Sequence, residues 1–142
     1  MKLKHLLAAA IMILTVVGCA STPKVPVKTI PGLYTPAANE AVVYYKRADN
    51  DYSDWALHVW DGDVKDWTTW NEPFPLTGVS EKYGAYYAVP MKSADWQSLK
   101  FIVHMGDLKD LGGLDHTFPR ADFGEDVFTY EDDKVLHADP KD

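Results

Sequence analysis

The apolar positions of this chain form one long run near the start and a series of short, mostly alternating runs afterwards. Leu6 to Val17 is apolar except for Thr15, about a dozen residues where a membrane-crossing helix needs roughly 20. Residues 20–40 carry Pro23, Pro26, Pro31 and Pro36 among Ser, Thr, Lys and Gly. Proline at that density blocks helix and ladder pairing and predicts an extended, semi-rigid spacer. From Ala41 onward the pattern predicts strands. Ala41–Arg47 is rich in β-branched and aromatic residues, and Ala48–Asp54 is a turn-rich loop. Trp55–Trp60 alternates, with Trp55, Leu57 and Val59 on one face and Ala56, His58 and Trp60 on the other. Residues 64–82 read as a loop with at most one edge strand. Tyr83–Val89 is a strand closed by Pro90, Ser93–Gln97 one helical turn, and Leu99–Met105 the clearest strand. A polar, Gly-rich loop follows over Gly106–Gly113, and Asp126–Tyr130 and Lys134–His137 complete the set. No stretch after the first run keeps a 3.6-residue period over three turns. Short strands punctuated by Gly, Pro and Asp predict an all-β fold, an antiparallel β-sandwich.

The first run has the flanks of an export signal. A basic start (Lys2, Lys4), a short apolar run and a small-residue exit describe a secretory signal rather than an anchor. The exit, Val16-Val17-Gly18-Cys19-Ala20-Ser21, resembles the lipobox of bacterial lipoproteins. That resemblance implies lipid attached to Cys19, cleavage that makes it the new amino terminus, and multiple acylation, palmitate included. Two or more chains give a stable membrane anchor where one gives a marginal one. The competing reading is an ordinary signal peptide with an incidental cysteine. Against it, Cys19 is the only cysteine of the chain and stands where the pattern requires it. Ala20 is not Asp, so the family's inner-membrane retention signal is absent and the expected location is the cell envelope, at the outer membrane.

Removing residues 1–18 leaves one domain's worth of chain, and loss of Lys2 and Lys4 takes the net charge from −7 to −9. An acidic surface argues against nucleic acid or anionic lipid as a charge-driven partner. A single cysteine excludes a disulfide framework and a thiolate metal site. His58, His104, His116 and His137 have no zinc-like spacing, and the Asp107–Asp115 loop lacks the EF-hand arrangement of acids. No metal and no cofactor is expected. With 21 acidic residues, carboxylate pairs are inevitable and say little about glycosidase chemistry. There is no Gly-x-Ser-x-Gly, phosphate-cradling loop or nucleophilic cysteine. All five tryptophans follow Cys19, more indole than a small domain readily buries, so some are candidate binding surface.

His58 and Trp60 share a strand face. An indole stacks on the C–H face of a sugar ring, and polar neighbours hydrogen-bond the hydroxyls at its edge. On periodicity alone Trp60 is as readily a core residue as a platform, because either face of a sandwich strand can be buried. A longer pattern adds to this. Ala41–Arg47, then Asp49-Asn50-Asp51-Tyr52-Ser53-Asp54-Trp55-Ala56-Leu57-His58-Val59-Trp60, then Tyr83–Pro90, then Phe101-Ile102-Val103-His104-Met105-Gly106-Asp107-Leu108-Lys109-Asp110 occur in order. Together they resemble the family 41 carbohydrate-binding module, also called the bacterial pullulanase-associated domain, from about Ala41 to His137.

The resemblance implies an immunoglobulin-like β-sandwich that binds α-1,4-linked glucan: starch, glycogen, pullulan or maltooligosaccharides. Carried over residue by residue, it implies a carbohydrate site of Trp55, His58 and Trp60 with Lys109 and Asp110. By alternation Trp55 faces away from Trp60 and is also a core candidate. Some family members have a second Trp before the Lys-Asp pair, where this chain has Met105-Gly106-Asp107-Leu108. Trp67 or Trp70 could replace it. The expected organisation is a signal at 1–18, a lipidated tether at 19–40, the sandwich at 41–138 and a tail at 139–142. Because no catalytic domain follows in this sequence, the expected activity is binding without catalysis, with α-glucan, the membrane and a separate glucan-degrading enzyme as partners. The alternative is a structural or assembly lipoprotein whose sandwich meets a protein.

Overall fold

Strand β1 (Glu40–Lys46) is buried on both faces, Ala41 through Tyr45 being at most 1% exposed. Such a strand needs cover on each side, and the rest of the chain supplies it. The computed structural model describes residues 25–142; the export segment and Cys19 lie outside the described residues. Among the described residues, eight strands form two sheets. In the first, β1 lies between β4 (Gly84–Pro90) and β8 (Asp126–Tyr130), with β3 (Gly78–Ser80) at the edge beyond β4. In the second, β5 (Ser98–Met105) pairs with β2 (Ala56–Trp60) and with both β6 (Leu108–Lys109) and β7 (His116–Pro119). Every pairing is antiparallel except β1 with β8, which run parallel with Val43 opposite Val127.

The core lies between the sheets. Val43, Tyr45, Tyr87 and Val89 from the first meet Leu57, Val59, Leu99 and Phe101 from the second. Alternation along β2 and β5 does this directly: the odd-numbered residues 57, 59, 101 and 103 point in, and His58, Trp60 and His104 point out. The chain is an immunoglobulin-like β-sandwich.

The outer face of β1 is covered by the segment that composition marks as a spacer. Residues 25–36 are irregular, as their prolines require, but they lie against the domain. Ile30, Leu33 and Tyr34 pack on Val42, Tyr44, Tyr83, Ala88 and Phe128. The Tyr34 amide donates to the Tyr44 hydroxyl at 2.8 Å, and the Tyr83 hydroxyl donates to the Pro31 carbonyl at 3.0 Å. Lys28 pairs with Asp126 at 2.5 Å, both side chains 9% exposed. This part of the expected tether is a strap.

Smaller expectations also change. Ser93–Gln97 is a non-helical turn, and Lys134–His137 contributes one bridge, His137 to Phe128, instead of a strand. Strand β7 and the four-residue helix α1 (Arg120–Phe123) come from a stretch with no clear period.

Candidate functional site

The outward residues of β2 and β5 carry an aromatic cluster. His58 and Trp60 stack with ring centres 4.9 Å apart and planes 20° apart. Trp70 joins them from the loop between β2 and β3. Its ring lies edge-on to His58 (5.7 Å, 70°) and parallel to His104 (3.8 Å, 18°). Thr68 fixes that loop to the sheet edge. Its amide donates to the Val59 carbonyl at 3.0 Å, and its hydroxyl accepts from the Val59 amide and meets His58 Nδ1, both at 2.9 Å. The His58 Nδ1 contact leaves Nε2 for a ligand. Burial, then the neighbouring His104, holds His58 below the ordinary histidine pKa, against a smaller opposing effect of Asp115. Its ring is neutral at pH 7.

Lys109 stands opposite His104 in the β5–β6 register, its ammonium 4.9 Å from the Trp70 ring centre. The turn after it is tight. Leu111 has φ 52° and Gly113 φ 90°, and the Gly113 amide donates to the Asp110 carbonyl at 3.0 Å. His104 is 1% exposed beneath Trp70. Its Nδ1 is 2.9 Å from the Gly106 carbonyl, which can only accept, so Nδ1 donates, and Nε2 is buried without a hydrogen-bond partner.

Three of the five expected sugar-contacting residues therefore stand together: His58, Trp60 and Lys109. The other two do not. Trp55 is 6% exposed in the core, its ring against Tyr45 (5.4 Å) and the Arg47 guanidinium (4.4 Å), because it sits on the inward side of the alternation. Asp110 is 9% exposed and its Oδ1 accepts from the Asp132 amide at 3.3 Å. It ties its turn to the end of β8, and burial raises its pKa. Trp70, rather than Trp67, supplies the second indole of the cluster, and His104 supports it. Nothing in the spacing separates Trp67 from Trp70. Among the described residues no group of three or more His, Cys, Asp or Glu side chains converges as a metal site.

Known proteins share this architecture. A model of the bacterial pullanase-associated domain matches residues 39–138. An α-amylase of Streptomyces lividans is 44% identical over 72 residues, 51% of this chain but 8% of that protein. A solved structure described as α-glucan binding by a streptococcal virulence factor is 25% identical with TM-score 0.60, over 74% of this chain and 49% of that one. The glycogen-degrading pneumococcal virulence factor SpuA is 26% identical with TM-score 0.60, over 74% of this chain and 11% of that one. Ligand-free PulA of Klebsiella pneumoniae has TM-score 0.65 at 22% identity, over 80% of this chain and 12% of that one, a likeness of fold. The chain thus spans half or less of each of these relatives. With the match covering more than two thirds of its length, this chain belongs to the family of the bacterial pullanase-associated domain.

Proposed function

We propose that this chain binds α-glucan, without catalysing a reaction, on the platform of Trp60, His58 and Trp70, and that Cys19 anchors it to a membrane. The observation that carries the glucan reading is the geometry of the cluster. Trp60 is near-parallel to the His58 ring and Trp70 is steeply inclined to it, so the two indoles are inclined to each other. An α-1,4-linked glucan coils, turning successive rings, whereas a β-1,4-linked one is a flat ribbon. Inclined platforms suit the coiled chain. His58 Nε2 and the Lys109 ammonium can hydrogen-bond hydroxyls at the ring edges. The α-glucan-binding streptococcal relative supports the same ligand class.

The platform presents aromatic rings, an imidazole and an ammonium. In this proposal hydrolysis belongs to a separate enzyme, for which this module would hold substrate. The test is electrophoresis through gels containing glycogen or pullulan. The parent protein is retarded, and Trp60→Ala migrates as in a gel without polysaccharide. Free migration of the parent contradicts the proposal, as does undiminished retardation of Trp60→Ala.

A further inference from the structure

The platform leaves Trp67 unused. Its indole is 64% exposed, whereas Trp55 and Trp96 are buried and Trp60 and Trp70 half-buried. A single exposed apolar side chain needs no explanation, but Trp67 walls a groove. With Pro73, Pro75 and Pro90 it encloses about 300 Å³, and the same lining carries Asp66, Glu72 and Thr69. That is an apolar, ring-sized surface with a few hydrogen-bonding groups, the general make-up of a small-molecule site.

The groove shares no aromatic residue with the platform. Thr68 joins the two: its hydroxyl meets His58, and it also lines the groove beside Trp67. Trp67 shares that lining with Pro90 at the end of β4. The two aromatic surfaces are therefore separate neighbours.

We propose that the Trp67 groove is a second sugar-binding subsite, taking rings further along a glucan already held on the platform. This rests on the glucan reading of the platform. The chemistry favours a neutral polyol: the indole and proline rings offer apolar faces, and the carboxylates accept from hydroxyls. No Lys or Arg lines the groove, which disfavours an anionic ligand. A polymer bound at the platform presents its next rings at high effective concentration, so a subsite too weak to bind alone still adds to retention.

The experiment compares the parent, Trp67→Ala and Trp60→Ala with two ligands, maltotriose by calorimetry and glycogen by gel retardation. Trp67 is exposed, so its removal leaves the fold intact. Trp67→Ala should bind maltotriose within about two-fold of the parent and lose about ten-fold in glycogen affinity. Glycogen retention equal to the parent overturns the subsite. Loss of maltotriose binding in Trp67→Ala also overturns it, since the indole would then serve the platform. Failure of the platform reading has a different signature: Trp60→Ala retained as well as the parent, or a parent that binds neither ligand.

Discussion

The Lys109 side chain crosses Gly113 on its way to Trp70. A methyl group at that glycine would lie 2.5 Å from Lys109 Cδ, on a backbone at φ 90° that L side chains rarely adopt. The turn thus sets where the ammonium sits. Histidines set how the domain responds to acid. Burial holds His58 and His116 below the ordinary histidine value near 6.5, and His116 is stacked on Phe101 at 5.1 Å. The folded chain therefore binds fewer protons than the unfolded chain as pH drops through 6.5. Stability contributed by the neutral rings is present above that value and is lost below it. Asp110, with its pKa raised by burial, acts in the opposite sense, so the comparison needs a variant. Melting temperature should fall between pH 7.5 and pH 5, and His116→Gln should shrink the fall. An identical fall in the variant contradicts this assignment. The family resemblance names His58, Trp60 and Lys109, and the structure gathers them around one aromatic cluster. For Trp55 the alternation along its strand gives the core position that the structure shows, against the family pattern. Trp70 could not be chosen over Trp67, because loop residues have no period to fix their direction.

At the scale of elements, the strap decides how β1 is read. Ala41-Val42-Val43-Tyr44-Tyr45 is an unbroken apolar run, the pattern of a strand covered on both faces. The cover is Ile30, Leu33 and Tyr34, which look like spacer residues because prolines surround them. Proline density reports the absence of ladder pairing, not the absence of packing. Lys28 fastens the strap to β8 through Asp126, and its ammonium lies 5.3 Å from the Phe128 ring. Lys28→Met leaves that carboxylate buried without its partner, a change that costs about 3 kcal/mol. Urea unfolding should show the loss as a lower midpoint at unchanged slope. An unchanged midpoint means the strap is not fastened there. Strands β1, β2, β4, β5 and β8 were legible to within a residue or so at each end, being long and strongly patterned. Strand β7 was not, since four residues reading His-Thr-Phe-Pro carry too little pattern.

For the molecule as a whole, the strap and the platform occupy opposite outer faces of the sandwich. Cys19→Ala should move the protein from the membrane to the soluble fraction on cell fractionation; continued membrane association contradicts the anchor. The central claim is that glucan meets this particular face. It is tested most directly by the indole N–H resonances of the five tryptophans, recorded by NMR during titration with maltotetraose. The account predicts that the Trp60 and Trp70 signals move with saturation while those of buried Trp55 and Trp96 stay. Stationary Trp60 and Trp70 signals at saturating maltotetraose would contradict it.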